Sequence, residues 1–118
     1  MFTLSNQSRY YLCQRFVDMR NGANGLYKLV KNEMSLNPVS GDVFIFFSKN
    51  RHTVKLLRWD NDGFILYQKI LEAGTFEVPH FNSESKQLVL PWNTFLLIMQ
   101  GVSIRSARQR KRFHLDQY

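Results

Sequence analysis

The chain has 118 residues, 44% of them hydrophobic and 14% aromatic, with few Gly and Pro. That is one domain's worth, able to bury a core without disulfide or metal staples, and it excludes a low-complexity or fibrous chain. A total of 16 Lys and Arg against 9 Asp and Glu gives a net charge of +7 and a pI near 9.9, which fits either a polyanionic partner such as nucleic acid or a merely soluble basic surface.

In chain order, Tyr10-Tyr11-Leu12-Cys13 reads as a short first strand. Asp18 suits an N-cap for a helix running to about Met34. Met19, Ala23, Leu26, Val30 and Met34 recur at spacings of three and four and form its apolar face, while Arg20, Asn24, Lys28 and Lys31 fall opposite. Gly22 and Gly25 weaken its start. A turn at Asn37-Pro38-Val39-Ser40-Gly41 leads to three strand-like runs, Val43 to Phe47, Thr53 to Trp59 and Phe64 to Leu71. The joints Ser48 to His52 and Asp60-Asn61-Asp62-Gly63 are too short for anything but antiparallel neighbours, which predicts a β-meander. Thr75 to Ser85 reads as a loop with one short extended piece, and Lys86 to Leu90 as a fourth strand. Pro91 suits the first turn of a last helix, with Trp92, Phe95, Leu96 and Met99 as its stripe and Gly101 as its stop. The expected architecture is α+β: a small antiparallel meander carrying an N-terminal and a C-terminal helix, as one domain over residues 1–104, followed by a basic tail over 105–118.

Cys13 is the only cysteine, which excludes an intramolecular disulfide and fits a reducing cytoplasm. Met1-Phe2-Thr3-Leu4-Ser5 lacks the basic and apolar regions of a signal peptide, and Phe95 to Met99 is far too short to span a bilayer, so no membrane role is expected.

Catalytic patterns are missing. His52, His80 and His114 lie far apart and have no zinc spacing. Asp60-Asn61-Asp62-Gly63 resembles the start of a calcium loop, but Phe64, Ile65 and Leu71 stand where later ligands and the loop glycine belong, so a hairpin turn explains it better. No Gly-x-Ser-x-Gly elbow or Gly-rich phosphate loop is present, and the scattered Asp42, Asp60, Asp62, Glu72 and Glu77 sit mostly at turns and strand ends. The sequence therefore gives no catalytic residues, no cofactor site and no metal site, and the expectation is that the protein is not an enzyme.

Basic residues carry more. If Leu57 pairs with Tyr67, then Lys55, Leu57, Trp59, Tyr67 and Lys69 share one sheet face, suited to stacking on bases or holding phosphates. The alternative is that helices cover this face and the lysines reach out to solvent past it. Arg105, Arg108, Arg110, Lys111 and Arg112 against Asp116 put +4 of the charge into the last 14 residues, a run that binds phosphates without reading sequence. The predicted nucleic-acid contacts are Arg20, Lys28, Lys31, Arg51, Lys55, Arg58 and Lys69, together with the five tail cations.

Asp18-Met19-Arg20-x-Gly22, Gly25-Leu26 and Pro38-x-Ser40-Gly41-Asp42-Val43-Phe44 are followed by Lys55-Leu56-Leu57-x-Trp59-Asp60-x-Asp62-Gly63-Phe64. Leu66-Tyr67-x-Lys69 and Leu71-Glu72-x-Gly74-x-Phe76 complete the series. In order and spacing these resemble the TnpB-type accessory protein, the second open reading frame, of the insertion-sequence family numbered 66. The resemblance covers about residues 8 to 102. It implies a cytoplasmic protein that assists DNA transposition beside a separate, larger transposase, which carries the catalytic acids. Two departures lower the local charge: Asn21 stands where the family often has Lys, and Lys49-Asn50-Arg51-His52-Thr53 replaces a denser Arg run. A DNA-gripping factor and a module that docks on the transposase both remain open, as does the oligomeric state.

Overall fold

Five apolar residues in succession, Val43 to Phe47, give a strand that no solvated face tolerates, and its neighbours on both sides bury it. The structure is a computed structural model that describes residues 4–101; the basic tail and the domain boundary expected at 104 lie outside the described residues. The elements are β1 (Tyr10–Cys13), α1 (Ala23–Asn32), β2 (Val43–Phe47), β3 (Thr53–Asp60), β4 (Gly63–Ile70), β5 (Gln87–Leu90) and α2 (Trp92–Met99). The strands form one sheet in the order β4-β3-β2-β1-β5.

The α+β class and the meander β2-β3-β4 are as expected. The sheet is nevertheless mixed, because β1 runs parallel to β2 while β5 pairs antiparallel with β1. A parallel pair needs a long crossover, and residues 14–42, which carry α1, supply it.

The register of β3 and β4 corrects the sequence reading by one residue. Leu56 pairs with Tyr67, and Leu57 with Leu66. Because side chains alternate, that shift separates the expected set. Lys55, Leu57 and Trp59 lie on one face; Tyr67 and Lys69 lie on the other, with Val54, Leu56 and Arg58. The two-residue turn at Asn61-Asp62, with Asn61 at φ 56°, fixes this pairing. No half-exposed platform of Trp, Tyr and Lys exists.

Both faces are covered. Cys13, Phe44, Phe46 and Leu57 pack on one side with Leu26 and Val30 of α1 and with Val17 and Met34 from the segments that flank it. On the other side Tyr10, Leu12, Val43, Ile45, Phe47, Val54 and Leu56 pack against Phe76, Phe95 and Ile98, which brings α2 and the loop after β4 over the sheet. Tyr10 lies 4.3 Å, ring to ring, from Phe95, and Phe47 lies 5.6 Å from Phe76.

Helix boundaries also differ. Asp18 does not cap α1. Its carboxylate accepts the Arg20 N–H at 2.8 Å, and its carbonyl accepts the Asn21 N–H and side-chain amide, closing a separate turn. The helix begins beyond Gly22. It ends at Asn32 rather than Met34, where Ser35 takes φ 56° and Leu36 N–H returns to Val30 O at 3.1 Å. Pro91 stands at the N-cap of α2 rather than in its first turn, and Gly101, at φ 78°, follows the helix end as expected. Residues 75–82 hold no strand.

Phe44 is fully buried on the α1 side of the sheet. Phe44→Ala is expected to lower the unfolding free energy by about 3–5 kcal/mol, whereas Val39→Ala, at an exposed turn, shifts it by less than about 0.5 kcal/mol. Urea titrations followed by circular dichroism check both.

Candidate nucleic-acid interface

The cations of the described residues, among them those singled out by sequence, divide into three groups in space. The first is turned inward. Lys55 is 5% exposed, and its ammonium donates to the carbonyls of Met19 at 2.8 Å and Asn21 at 2.7 Å. It ties the turn before α1 to the sheet. Lys69 is half-buried on the opposite face and donates to the Met99 carbonyl at 3.3 Å, at the C-terminal end of α2, where the helix dipole favours a cation. Arg58 is half-buried on that same face, near Tyr10. Lys55 and Lys69 thus spend their ammonium groups on backbone carbonyls among the described residues.

The second group is exposed but paired. Arg20 grips Asp18 at 2.6 Å, and this bond, joined by the Arg20 backbone N–H, lowers the Asp18 pKa from 3.8 to about 2. Arg15 holds Glu33 through two nitrogens, at 2.6 and 2.9 Å, and keeps that carboxyl below its usual range. Arg9 pairs with Asp42 at 3.1 Å. Such surface pairs contribute little to stability, but they cancel charge locally.

The third group is exposed and, among the described residues, has no ion-pair partner: Lys28 and Lys31 on α1, Lys49 and Arg51 in the β2–β3 loop, and Lys86 before β5. The amphipathic pattern of α1 explains the first two. Leu26 and Val30 are buried, so Lys28 and Lys31, one helical turn apart, look outward. Tyr27 lies beside them, with Lys31 Nζ 6.0 Å from its ring centroid. Arg51 takes φ 61° in a tight loop whose backbone is fixed at both ends: its N–H donates to Ser48 O at 2.9 Å, and its carbonyl accepts from Phe76 N at 2.8 Å. Arg105, Arg108, Arg110, Lys111 and Arg112 lie outside the described residues.

The sequence reading missed a cleft of about 870 Å³ beside β5, lined by Phe16, Val78, Pro79, Phe81, Leu88 and Val89, with Arg51 and His80. Phe16 and Phe81 meet edge to face at 5.0 Å across one side of it. Gln14 fixes that loop by donating to Ser85 O and accepting from Asn82 N. Nothing periodic in the sequence marks this cleft, since its walls combine Phe16, the irregular loop at residues 77–81 and β5. Among the described residues no group of three His, Cys, Asp or Glu side chains is placed to hold a metal ion. Cys13 is buried, which pushes its thiol pKa up.

The chain matches the family described as IS66 Orf2 like protein over residues 8–109. It is similar to the uncharacterized protein y4jC of Sinorhizobium fredii (strain NBRC 101917 / NGR234), 41% identical over 63 residues, which is 53% of this chain and 54% of that one. It is also similar to the uncharacterized protein y4hO of the same strain, 25% identical over 104 residues, covering 88% of this chain and 89% of the relative. The alignment thus spans about half the length of the first relative and nearly all of the second. No solved structure matches.

Two measurements check the electrostatics. The Asp18 carboxyl is expected to titrate near 2 by NMR and to return toward 3.8 in Arg20→Gln. Because the folded pKa is depressed, the contribution of this carboxylate is present above about 4 and lost as pH falls through about 2. Lys55→Met, which leaves two carbonyls without their donor, is expected to destabilise the fold by about 1–3 kcal/mol in urea, the lost bonds outweighing the relief of a buried charge.

Proposed function

The chain belongs to the IS66 Orf2-like family of insertion-sequence proteins, and from that membership we propose that it is a non-catalytic accessory factor of transposition, which grips DNA through phosphate contacts beside a separate transposase. The observation that carries the DNA reading is the outward, unpaired placement of Lys28 and Lys31 on α1, with Arg51 and Lys49 exposed in the β2–β3 loop. Ammonium and guanidinium groups free of ion pairs release counterions on meeting a polyphosphate, and they position a protein on DNA without reading bases. The tail cations Arg105, Arg108, Arg110, Lys111 and Arg112 add to this grip in the same reading.

The division of labour follows from chemistry as well as family. Strand transfer needs clustered acids that bind metal, and a larger transposase from the same element supplies them in this reading. Such a pair works where the element's DNA is, in the cytoplasm, and among the described residues no helix is long and apolar enough to cross a membrane.

One observation favours a second reading, in which the chain docks on the transposase without touching DNA. The cleft beside β5 has apolar walls at Phe16, Phe81 and Val89, fit to receive an apolar segment of another protein.

A salt series separates the two. Binding of duplex DNA is expected to weaken linearly in log affinity against log salt. Lys28→Gln/Lys31→Gln is expected to flatten that slope by about 1.8, whereas Lys55→Met leaves it unchanged. Deleting residues 105–118 is expected to flatten it by about 3 to 4, equally for element-end and random DNA. Full-length protein that binds no DNA at low salt but binds transposase, and loses that binding in Phe81→Ala, supports docking instead.

A further inference from the structure

The two edges of the sheet are treated differently. At one edge, β5 is four residues long, is preceded by Lys86 and is stopped by Pro91. Short length, charge and proline are the usual means by which a protein keeps a strand edge from recruiting another strand. At the other edge, β4 is eight residues long and pairs with β3 in an unbroken register from Gly63 to Ile70, with no bulge and no proline. Among the described residues it has a neighbouring strand on one side only. Its single charge, Lys69, is drawn back onto the Met99 carbonyl at 3.3 Å and does not guard the edge. At its end Ile70 is 62% exposed, the most exposed large hydrophobic residue of the described chain.

We propose that β4 is a self-association edge, along which two copies of this chain pair antiparallel about a twofold axis perpendicular to the sheet. The strand is complementary to itself. Residues opposite each other across such an axis must lie on the same sheet face, so only registers that keep the alternation in step are allowed. The register centred on Tyr67 sets Ile70 opposite Phe64 of the second copy, Leu66 opposite Gln68, and Ile65 opposite Lys69. It covers the exposed Ile70 with an aromatic ring, and no lysine meets its counterpart. The alternate backbone N–H and C=O groups of β4 that point away from β3 find partners in the same step. α1 packs over β3 and β4, so the twofold also sets both copies of α1, with Lys28 and Lys31, on one face of the joined sheet.

This pairing rests on the sheet edge and not on the DNA reading, so it is tested without DNA. Sedimentation equilibrium of the full chain is expected to give twice the 14.0 kDa chain mass at tens of micromolar, falling to the monomer on dilution. Gln68→Lys and Ile70→Lys each put a like charge at the edge. Each is expected to raise the dimer dissociation constant at least about tenfold, with an unchanged circular dichroism spectrum, because both side chains are exposed. Val89→Lys, on the guarded edge, is expected to leave the dimer intact. A chain that stays monomeric up to hundreds of micromolar overturns the proposal. So does a dimer that survives both β4 variants, or one that is lost in Val89→Lys.

Discussion

A strand that is apolar on both faces has to be covered on both faces, and β2 is such a strand: all five of its residues are buried. Most of the architecture answers to that demand. The chain cannot place α1 and α2 on the same side of the sheet, because Phe44 and Phe46 need one and Val43, Ile45 and Phe47 need the other. Covering the first side uses the long crossover from β1 to β2, which makes that pair parallel. Covering the second takes α2 together with Phe76 from the loop after β4. The same demand removes the sheet as a binding surface. Once helices lie on both sides, a partner meets only helix exteriors, loops and strand edges.

Charge is distributed by this packing. Lys55 sits where the sheet meets the turn before α1, and its ammonium replaces water for two backbone carbonyls that the turn leaves pointing inward. Lys69 does the same for a carbonyl at the end of α2. Arg9, Arg15 and Arg20 are cancelled by carboxylates on neighbouring segments. What remains as uncompensated positive surface within the described residues is the outer face of α1, the β2–β3 loop and the approach to β5. A net charge therefore overstates the surface available to a polyanion, and the fold selects which cations count.

The strands and the meander were legible because period-two and unbroken apolar runs, separated by turn formers such as Asp60-Asn61-Asp62-Gly63, carry strand information locally. The family signature was legible for a related reason: Asp18-Met19-Arg20 and Lys55-Leu56-Leu57 sit at fixed places in a shared core, and the structure joins them through the Lys55 bonds to Met19 and Asn21. The register of β3 against β4 was not legible, since it depends on how many residues the turn consumes, and one residue sends Tyr67 and Trp59 to opposite faces. The helix start was misread because an Asp side chain satisfies a tight turn as readily as a helix end, and only Gly22 and the competing bonds of Asn21 decide between them. The cleft around Phe16 and Phe81 left no trace in periodicity, being assembled from segments far apart in the chain.

In the proposed function the outer face of α1 and the β2–β3 loop meet DNA, while Lys55 and Lys69 hold backbone carbonyls. Titration of isotopically labelled protein with a short duplex, followed residue by residue by NMR, tests it most directly. Shifts are expected at Lys28, Lys31, Lys49 and Arg51 that fade as salt rises, with Lys55 and Lys69 unmoved. Shifts confined to Phe16, Phe81 and Val89, or none at low salt, would contradict it.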